Sequence, residues 1–190
     1  MIADVSGKGV PAALFMMRAK ATIQSHLKSG LGIVEAIGKA NHRLTVNNDA
    51  NMFVTAWVGI VDLATGALEY VNAGHNPPLV KRADGSLEYL TPKSGPPLAV
   101  MDGVEYRPQS LTLGRGDGLL LYTDGVTEAT NRADELYGED RLLRTMRGLL
   151  GARDAGTLID GVLKSVDVFA DGAEQADDIT ILGFKLKELA

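Results

Sequence analysis

The sequence contains no cysteine and only three histidines among its 190 residues. Without cysteine it can form neither disulfide bonds nor thiolate metal sites, so a metal ion would be held mainly by oxygen ligands. It also lacks a signal-peptide pattern and any apolar run of about 18 residues, and we therefore expect a cytoplasmic protein with no membrane span. A cluster of basic residues is missing too, and the net charge of -5 argues against a nucleic-acid-binding surface.

What the sequence does contain is enough apolar material for a substantial core. Hydrophobic residues make up 45% of the chain and charged residues 23%, a balance typical of folded rather than disordered proteins. No internal repeat or low-complexity stretch divides the sequence. We therefore predict that residues 1–190 form a single domain.

Apolar residues at helical spacing predict two pairs of amphipathic helices. The first pair covers about residues 10–28 and 33–44, and the second covers about 142–150 and 158–169. The first helix is expected to bury Val10, Ala13, Leu14, Met17 and Ala21. Each apolar stripe needs a partner surface, so both pairs are expected to pack against a sheet.

The rest of the chain is predicted to be antiparallel sheet. Residues 53–62 form a largely apolar stretch typical of a strand buried on both faces. Hairpins follow around Gly66 and the Asp84-Gly85 turn, and the later strands are expected at 105–113, 118–123 and 177–186. Together these elements predict an α+β fold, a four-layer α/β/β/α sandwich in which two antiparallel sheets are flanked by helix pairs.

Acidic residues lie at three predicted strand ends, at Asp4, Asp124 and the pair Asp177-Asp178. Carboxylates next to glycine or other small residues suit Mg²⁺ or Mn²⁺, because these ions prefer oxygen ligands with room for water. The alternative for each aspartate is a turn or helix-cap role, the commonest use of this residue. The similar placement of all three favours a metal site.

The segment Ser6-Gly7-Lys8-Gly9 superficially suggests a phosphate-binding loop. The Walker pattern requires glycine five positions before the glycine that precedes the lysine, and serine or threonine after it. Ile2 and Gly9 occupy those positions here. We therefore reject a nucleotide-binding loop and interpret Lys8 as a solvated loop residue.

Five segments together carry a resemblance to a known family. They are D-V-S-G-K-G-V-P-A-A (4–13), F-V-T-A (53–56), N-A-G-H-N-P-P-L (72–79), Y-T-D-G-V-T-E-A (122–129) and D-D-I-T (177–180). In order and spacing they resemble the stage II sporulation protein E-type serine phosphatases, a bacterial branch of the metal-dependent, protein phosphatase 2C-like superfamily. The resemblance implies a β-sandwich flanked by helices, two Mn²⁺ or Mg²⁺ ions, and removal of phosphate from phosphoserine or phosphothreonine. It also implies a regulatory protein substrate such as an anti-anti-sigma factor.

The resemblance also implies roles for individual residues. Asp4 would bridge the two metal ions and Val5 would offer its backbone carbonyl, while Asp124 and Asp177 would hold the metal from the other side. These carboxylates would act through a metal-bound water. Asp178 is expected to support the ligands without contacting an ion itself.

Neighbouring residues receive structural interpretations. Gly125 is expected to allow the tight turn that aims Asp124, and Thr127 and Glu128 to cap the following segment. His75 is interpreted as a loop histidine bonded locally beside Asn72 and Asn76, with a general-acid role as the alternative.

One family feature is missing from the sequence. The family places a G-G-D-x-x-D segment, with a further metal-binding aspartate, before the corner at Asp4. We therefore expect the chain to be N-terminally incomplete and to lack the first strands, with an upstream sensor or regulatory domain in the full-length protein. The alternatives are a binding module without turnover and a two-metal phosphohydrolase of small phosphate esters; homodimer formation is left open.

Overall fold

The structure, a computed structural model, describes residues 1–187. Its elements in chain order are β1 (Ile2–Val5), α1 (Gly9–Lys28), α2 (Ile33–Thr45), β2 (Val54–Val61), β3 (Ala67–Ala73), β4 (Leu79–Lys81), β5 (Leu87–Tyr89), β6 (Gln109–Thr112), β7 (Gly118–Tyr122), α3 (Asp124–Thr127), α4 (Gly138–Gly148), α5 (Ala155–Ala170) and β8 (Ile181–Lys185). They fall into two compact units. The first comprises Met1–His75 and Pro92–Thr112, and the second comprises Asn76–Thr91 and the chain from Leu113 onward.

The first unit is an antiparallel four-stranded sheet covered by two helices. Its strand order is β1-β2-β3-β6, and α1 and α2 pack side by side against it. The core joins helix and sheet residues, among them Phe15, Ile23, Ile37, Leu44, Val54, Val58 and Val71. Burial of each large apolar side chain contributes about 1.5–3 kcal/mol, so this shared core holds β1 and β2 in place.

The buried face of α1 differs from the predicted one. Val10, Leu14 and Met17 are 72%, 60% and 67% exposed, whereas Phe15 and Ile23 are buried. The predicted stripe is wrong because this helix carries apolar residues at helical spacing on two faces. The sheet packs against the face that carries Phe15 and Ile23, and both side chains join the core there.

The second unit is also a four-stranded antiparallel sheet with helices. Its strand order is β5-β4-β7-β8, and α4 and α5 contribute to its core. That core includes Leu79, Leu120, Tyr122, Leu142, Met146 and Val162. All five residues of β7 are buried, so the strand that leads to Asp124 is fixed along its whole length.

An ion pair fastens the β4–β5 hairpin to the loop before β7. Arg82 Nη1 lies 3.0 Å from Asp117 Oδ2 and Nη2 lies 2.7 Å from Glu88 Oε1. Asp117 is 6% exposed and also accepts hydrogen bonds from the N–H groups of Gly114 and Ala83. Burial alone would raise the pKa of Asp117, but these N–H groups and the guanidinium outweigh it, and the net effect is a lowered pKa.

The predicted α+β class, with two antiparallel sheets and two helix pairs, is confirmed. The stacking of four layers stays a prediction. Two strands are shorter than expected: β6 covers only Gln109–Thr112 and β8 begins at Ile181. Pro108 has no N–H to donate to a neighbouring strand, which explains the late start of β6. No helix within residues 1–187 is long and apolar enough to cross a membrane.

Candidate functional site

Asp4 lies near the end of β1, the first strand of its sheet. In the pairing with β2, Asp4 is opposite Thr55 and Val5 is opposite Val54. Asp4 and Val5 are both half-buried. Pairing with β2 therefore fixes the backbone of Asp4 and Val5, the two residues for which the family resemblance implies a metal-binding role.

A glycine turn follows immediately and leads into α1. Ser6 continues the pairing, since its N–H donates to the Phe53 carbonyl at 2.9 Å and its Oγ accepts from the Phe53 N–H at 2.8 Å. Gly7 and Gly9 then adopt φ values of +83° and +80°, a left-handed conformation that strains other residues. The predicted strand end at Asp4 and the helix predicted from about residue 10 are confirmed.

His75 is buried behind this strand pair. It is 1% exposed, and its Nδ1 lies 2.9 Å from Thr55 Oγ1. Its backbone N–H donates to Asn72 Oδ1 at 2.8 Å. The interpretation of His75 as a locally bonded histidine is confirmed for Asn72. The ring contacts the threonine that pairs with Asp4, a link that the sequence did not predict.

Asp124 begins the short helix α3 directly after β7. Its carbonyl accepts hydrogen bonds from the Glu128 N–H at 2.7 Å and from Thr127 Oγ1 at 3.2 Å. Thr127 and Glu128 therefore close the turn that carries Asp124. The prediction that they cap a later segment is wrong, because their bonds run back to the start of α3.

Thr123 joins the end of β7 to the segment that carries Asp177 and Asp178. The Thr123 hydroxyl donates to the Asp178 carbonyl at 3.0 Å and accepts from the Thr180 N–H at 2.9 Å. Its own N–H donates to the Thr180 carbonyl at 3.0 Å. Thr123 is 1% exposed, so these bonds form away from water, where unmade ones would be costly.

Gly125 lies against the same segment at very short range. A Cβ placed on Gly125 would lie 2.5 Å from the Asp178 carbonyl oxygen and 3.2 Å from that of Asp177. No side chain fits at that separation. The predicted reason for Gly125, a tight turn, needs revision: its φ is not in the left-handed region, and glycine is required by the close approach of two backbones.

Asp177 and Asp178 lie in the segment that precedes β8. Asp177 is half-buried and Asp178 is exposed. The Asp178 N–H donates to Asp177 Oδ1 at 2.8 Å, and the Gln175 side-chain amide donates to the Asp177 carbonyl at 2.8 Å. The segment is therefore held by its own bonds as well as by Thr123.

These contacts bring the Asp124 turn and the Asp177 segment together within the second unit. Asp4 and Val5 belong to the first unit. The donor set around Asp124 and Asp177 consists of carboxylates and backbone carbonyls. It fits Mg²⁺ or Mn²⁺, which are often bound through one or two carboxylates with water in the remaining positions. Within residues 1–187, no three Asp, Glu or His side chains are grouped closely enough to hold an ion by themselves.

The sequence reasoning missed Thr123 as a positioning residue. The sequence does contain an indication of this role, because a threonine lies between the apolar strand and Asp124. A β-branched residue suits a strand end, and its hydroxyl can satisfy backbone groups where the ladder stops.

A family model and curated relatives match this chain. The model described as Stage II sporulation protein E (SpoIIE) matches residues 1–187. Phosphoserine phosphatase RsbU of Bacillus subtilis is 32% identical over 127 residues, which cover 67% of this chain and 38% of RsbU. The chain spans about a third of the length of the curated relatives it matches.

Solved structures share the fold. The RsbU and RsbW domains of a Mycobacterium tuberculosis protein give a TM-score of 0.78 at 28% identity, over 96% of this chain and 50% of that one. The catalytic domain of the serine/threonine protein phosphatase PstP, solved with two manganese ions, gives 0.65 at 16% identity, over 94% of this chain and 83% of PstP. The latter likeness shows the fold alone. Since the family model spans both segments of the candidate site, this chain belongs to the stage II sporulation protein E family.

Proposed function

We propose that this protein is a metal-dependent phosphatase that hydrolyses phosphoserine or phosphothreonine on a regulatory protein. The observation that carries the proposal is the backbone contact at Gly125, which joins the Asp124 turn to the Asp177 segment. The match to Phosphoserine phosphatase RsbU supports the same reaction. No nucleophilic cysteine is needed for it, and the sequence has none.

The proposed metal ligands are Asp4, the Val5 carbonyl, Asp124 and Asp177, for two Mn²⁺ or Mg²⁺ ions. When bound, such ions lower the pKa of a water molecule and offset charge on the phosphoryl oxygens. PstP, which shares the fold, was solved with two manganese ions. The carboxylates contribute oxygen donors and negative charge, and Asp178 contributes through its backbone, which Thr123 binds.

Thr123 and Gly125 perform a separate task in this proposal. Metal-ligand distances tolerate changes of only about 0.2 Å, so the carboxylates need a rigid backbone. The paired bonds of the Thr123 hydroxyl and the direct backbone contact at Gly125 supply that rigidity. Because these groups are ordered before substrate binds, little reorganisation remains for the reaction itself.

The proposal extends to partners and domain organisation. The substrate class is a phosphorylated anti-anti-sigma-like protein in the cytoplasm. Residues 1–190 act as one phosphatase domain under the control of a sensor or regulatory domain, with a homodimer as one assembly state. RsbU supports only the phosphoserine chemistry, so the substrate must be identified by experiment.

The test compares a phosphoserine protein with p-nitrophenyl phosphate, each with and without Mn²⁺. We expect Mn²⁺-dependent turnover of the phosphoprotein and its loss on chelation with EDTA. Asp124→Asn should lower kcat/KM by about 100-fold, the upper end of the loss seen when a residue that only supports a metal ligand is changed, because a neutral amide binds the ion more weakly. Asp160→Asn, which changes an exposed aspartate on α5, is the matched control and should retain activity.

Each result has a defined meaning. Full activity of Asp124→Asn would refute the metal assignment. Turnover of the aryl phosphate alone would favour a phosphohydrolase of small esters. Binding of the phosphoprotein without turnover would favour a signalling module.

A further inference from the structure

The second unit contains a cavity of about 290 Å³ beside the candidate metal site. We call it the α5 pocket, and its walls come from α3 and the residues just after it, from α5 and from the segment before β8. Among the residues that line it are Gly125, Ala129, Asp167, Ala170, Ala173 and Glu174. None of them is a proposed metal ligand.

Small residues give the α5 pocket its volume. Gly125, Ala129, Ala170 and Ala173 contribute little side-chain bulk to its walls. A cavity of about 150 Å³ can hold a benzene molecule, whereas sites for complete small-molecule ligands usually begin at about 300 Å³. The volume of about 290 Å³ is enough for one or two side chains of a bound chain.

The pocket adjoins the residues proposed to bind metal. Gly125, in its wall, directly follows Asp124. Gln175, also in its wall, donates a hydrogen bond to the Asp177 carbonyl. An extended peptide advances about 3.3–3.6 Å per residue. A residue close in sequence to a phosphoserine bound at the metal site would therefore lie near the pocket.

The acidic residues of the α5 pocket indicate which kind of side chain would bind there. Asp167 and Glu174 line the α5 pocket and are exposed, and no basic residue lines it. Negative charge at the edge of an apolar cavity attracts a basic group and disfavours an acidic one. The preferred occupant is therefore an aliphatic side chain with a lysine or arginine beside it.

We propose that the α5 pocket is a specificity site that binds an aliphatic side chain of the phosphoprotein substrate, close in sequence to the phosphoserine and next to a basic residue. The proposal rests on the proposed phosphatase function. It adds a substrate determinant that acts through binding of the neighbouring chain, separate from the phosphate chemistry.

The test uses short phosphoserine peptides that carry one leucine at successive positions, each matched by a peptide with alanine there. At one position near the phosphoserine, leucine should raise kcat/KM about tenfold over alanine, because an apolar pocket discriminates such side chains by that order. In the leucine peptide, replacing a lysine next to the leucine with glutamate should reduce kcat/KM. The small ester p-nitrophenyl phosphate, which does not reach the pocket, serves as reference substrate.

Ala170→Leu fills the pocket from α5. It should lower kcat/KM for the leucine peptide about tenfold, mainly by raising KM, and should leave p-nitrophenyl phosphate turnover unchanged. Ala133→Leu makes the same change at an exposed turn outside the pocket and should have no effect. Thermal unfolding of both variants checks that they fold.

Binding assays separate this proposal from the proposed function. Fluorescence anisotropy with the labelled leucine and alanine peptides reports on the pocket even if no substrate is hydrolysed. Tighter binding of the leucine peptide, lost in Ala170→Leu, supports the pocket whatever the outcome for turnover. Equal binding of both peptides, or equal loss of peptide and p-nitrophenyl phosphate turnover in Ala170→Leu, would overturn it.

Discussion

Gly125→Ala tests whether the contact between two backbones holds the candidate site together. The added Cβ would lie 2.5 Å from the Asp178 carbonyl oxygen and 2.9 Å from its carbonyl carbon. Both atoms belong to the backbone, so no side-chain rotation can relieve the overlap. The segment that carries Asp177 must therefore move away from α3, or α3 must move.

The size of the backbone displacement in Gly125→Ala follows from ordinary contact distances. Carbon and oxygen atoms in contact are about 3.3 Å apart or more, so the two backbones must separate by about 0.8 Å. Overpacking of this kind costs about 1–3 kcal/mol, and the better helix propensity of alanine returns up to about 1 kcal/mol. The net destabilisation therefore lies between about 0 and 3 kcal/mol, and we expect about 1.5 kcal/mol. The displacement exceeds the tolerance of about 0.2 Å for metal ligands, so Mn²⁺ affinity should fall about 10–100-fold.

Urea unfolding measures the loss of stability in Gly125→Ala, and isothermal titration calorimetry with Mn²⁺ measures the loss of metal affinity. Gly148→Ala is the matched control, because a Cβ at Gly148 would meet no atom within 4 Å; it should be neutral or slightly stabilising. Unchanged stability and unchanged Mn²⁺ affinity in Gly125→Ala would refute the close approach. Lower stability with unchanged Mn²⁺ affinity would refute its role in positioning ligands.

Three further predictions address other contacts. Thr123→Val removes the hydroxyl that binds Asp178 and Thr180, and should cost about 2 kcal/mol in urea unfolding because two backbone groups lose their partner; Thr123→Ser should largely restore stability. Asp117 has a lowered pKa, so its contribution is complete above the ordinary aspartate pKa of about 3.9 and is lost as pH falls through the lowered value. Asp117→Asn should therefore be less stable at pH 7 by about 2 kcal/mol, with a flatter stability profile below about pH 4; equal slopes would contradict the ion pair. Phe15→Ala should cost about 3–5 kcal/mol, whereas Leu14→Ala should change stability by less than about 0.5 kcal/mol, and similar losses would contradict the observed face of α1.

Local sequence signals were sufficient for the strand-to-helix corners. The predicted strand end at Asp4 and the helix predicted from about residue 10 leave a short connection, and Gly7 and Gly9 form it with positive φ values that glycine adopts without strain. The apolar residues at 118–123 predicted a strand that ends just before Asp124, and all residues of β7 are buried. The buried face of α1 could not be predicted, because both of its faces carry apolar residues and the sheet decides between them. Nor could the Gly125 contact, since it joins residues about 50 positions apart in the chain.

The candidate site depends on that long-range pairing. Tyr122 pairs with Ile181 at the ends of β7 and β8, and Thr123 extends the same pairing through a bond between residues 57 positions apart. Asp124 and Asp177 lie just beyond this last pair, so their backbones are brought together only when the two strands meet. Each aspartate alone resembles an ordinary turn residue. Its local sequence therefore cannot distinguish a turn residue from a metal ligand. What an ordinary turn residue lacks is the backbone contact at Gly125, which holds the segments that carry Asp124 and Asp177 close together. Such a fixed distance is needed only if both segments contribute to one site.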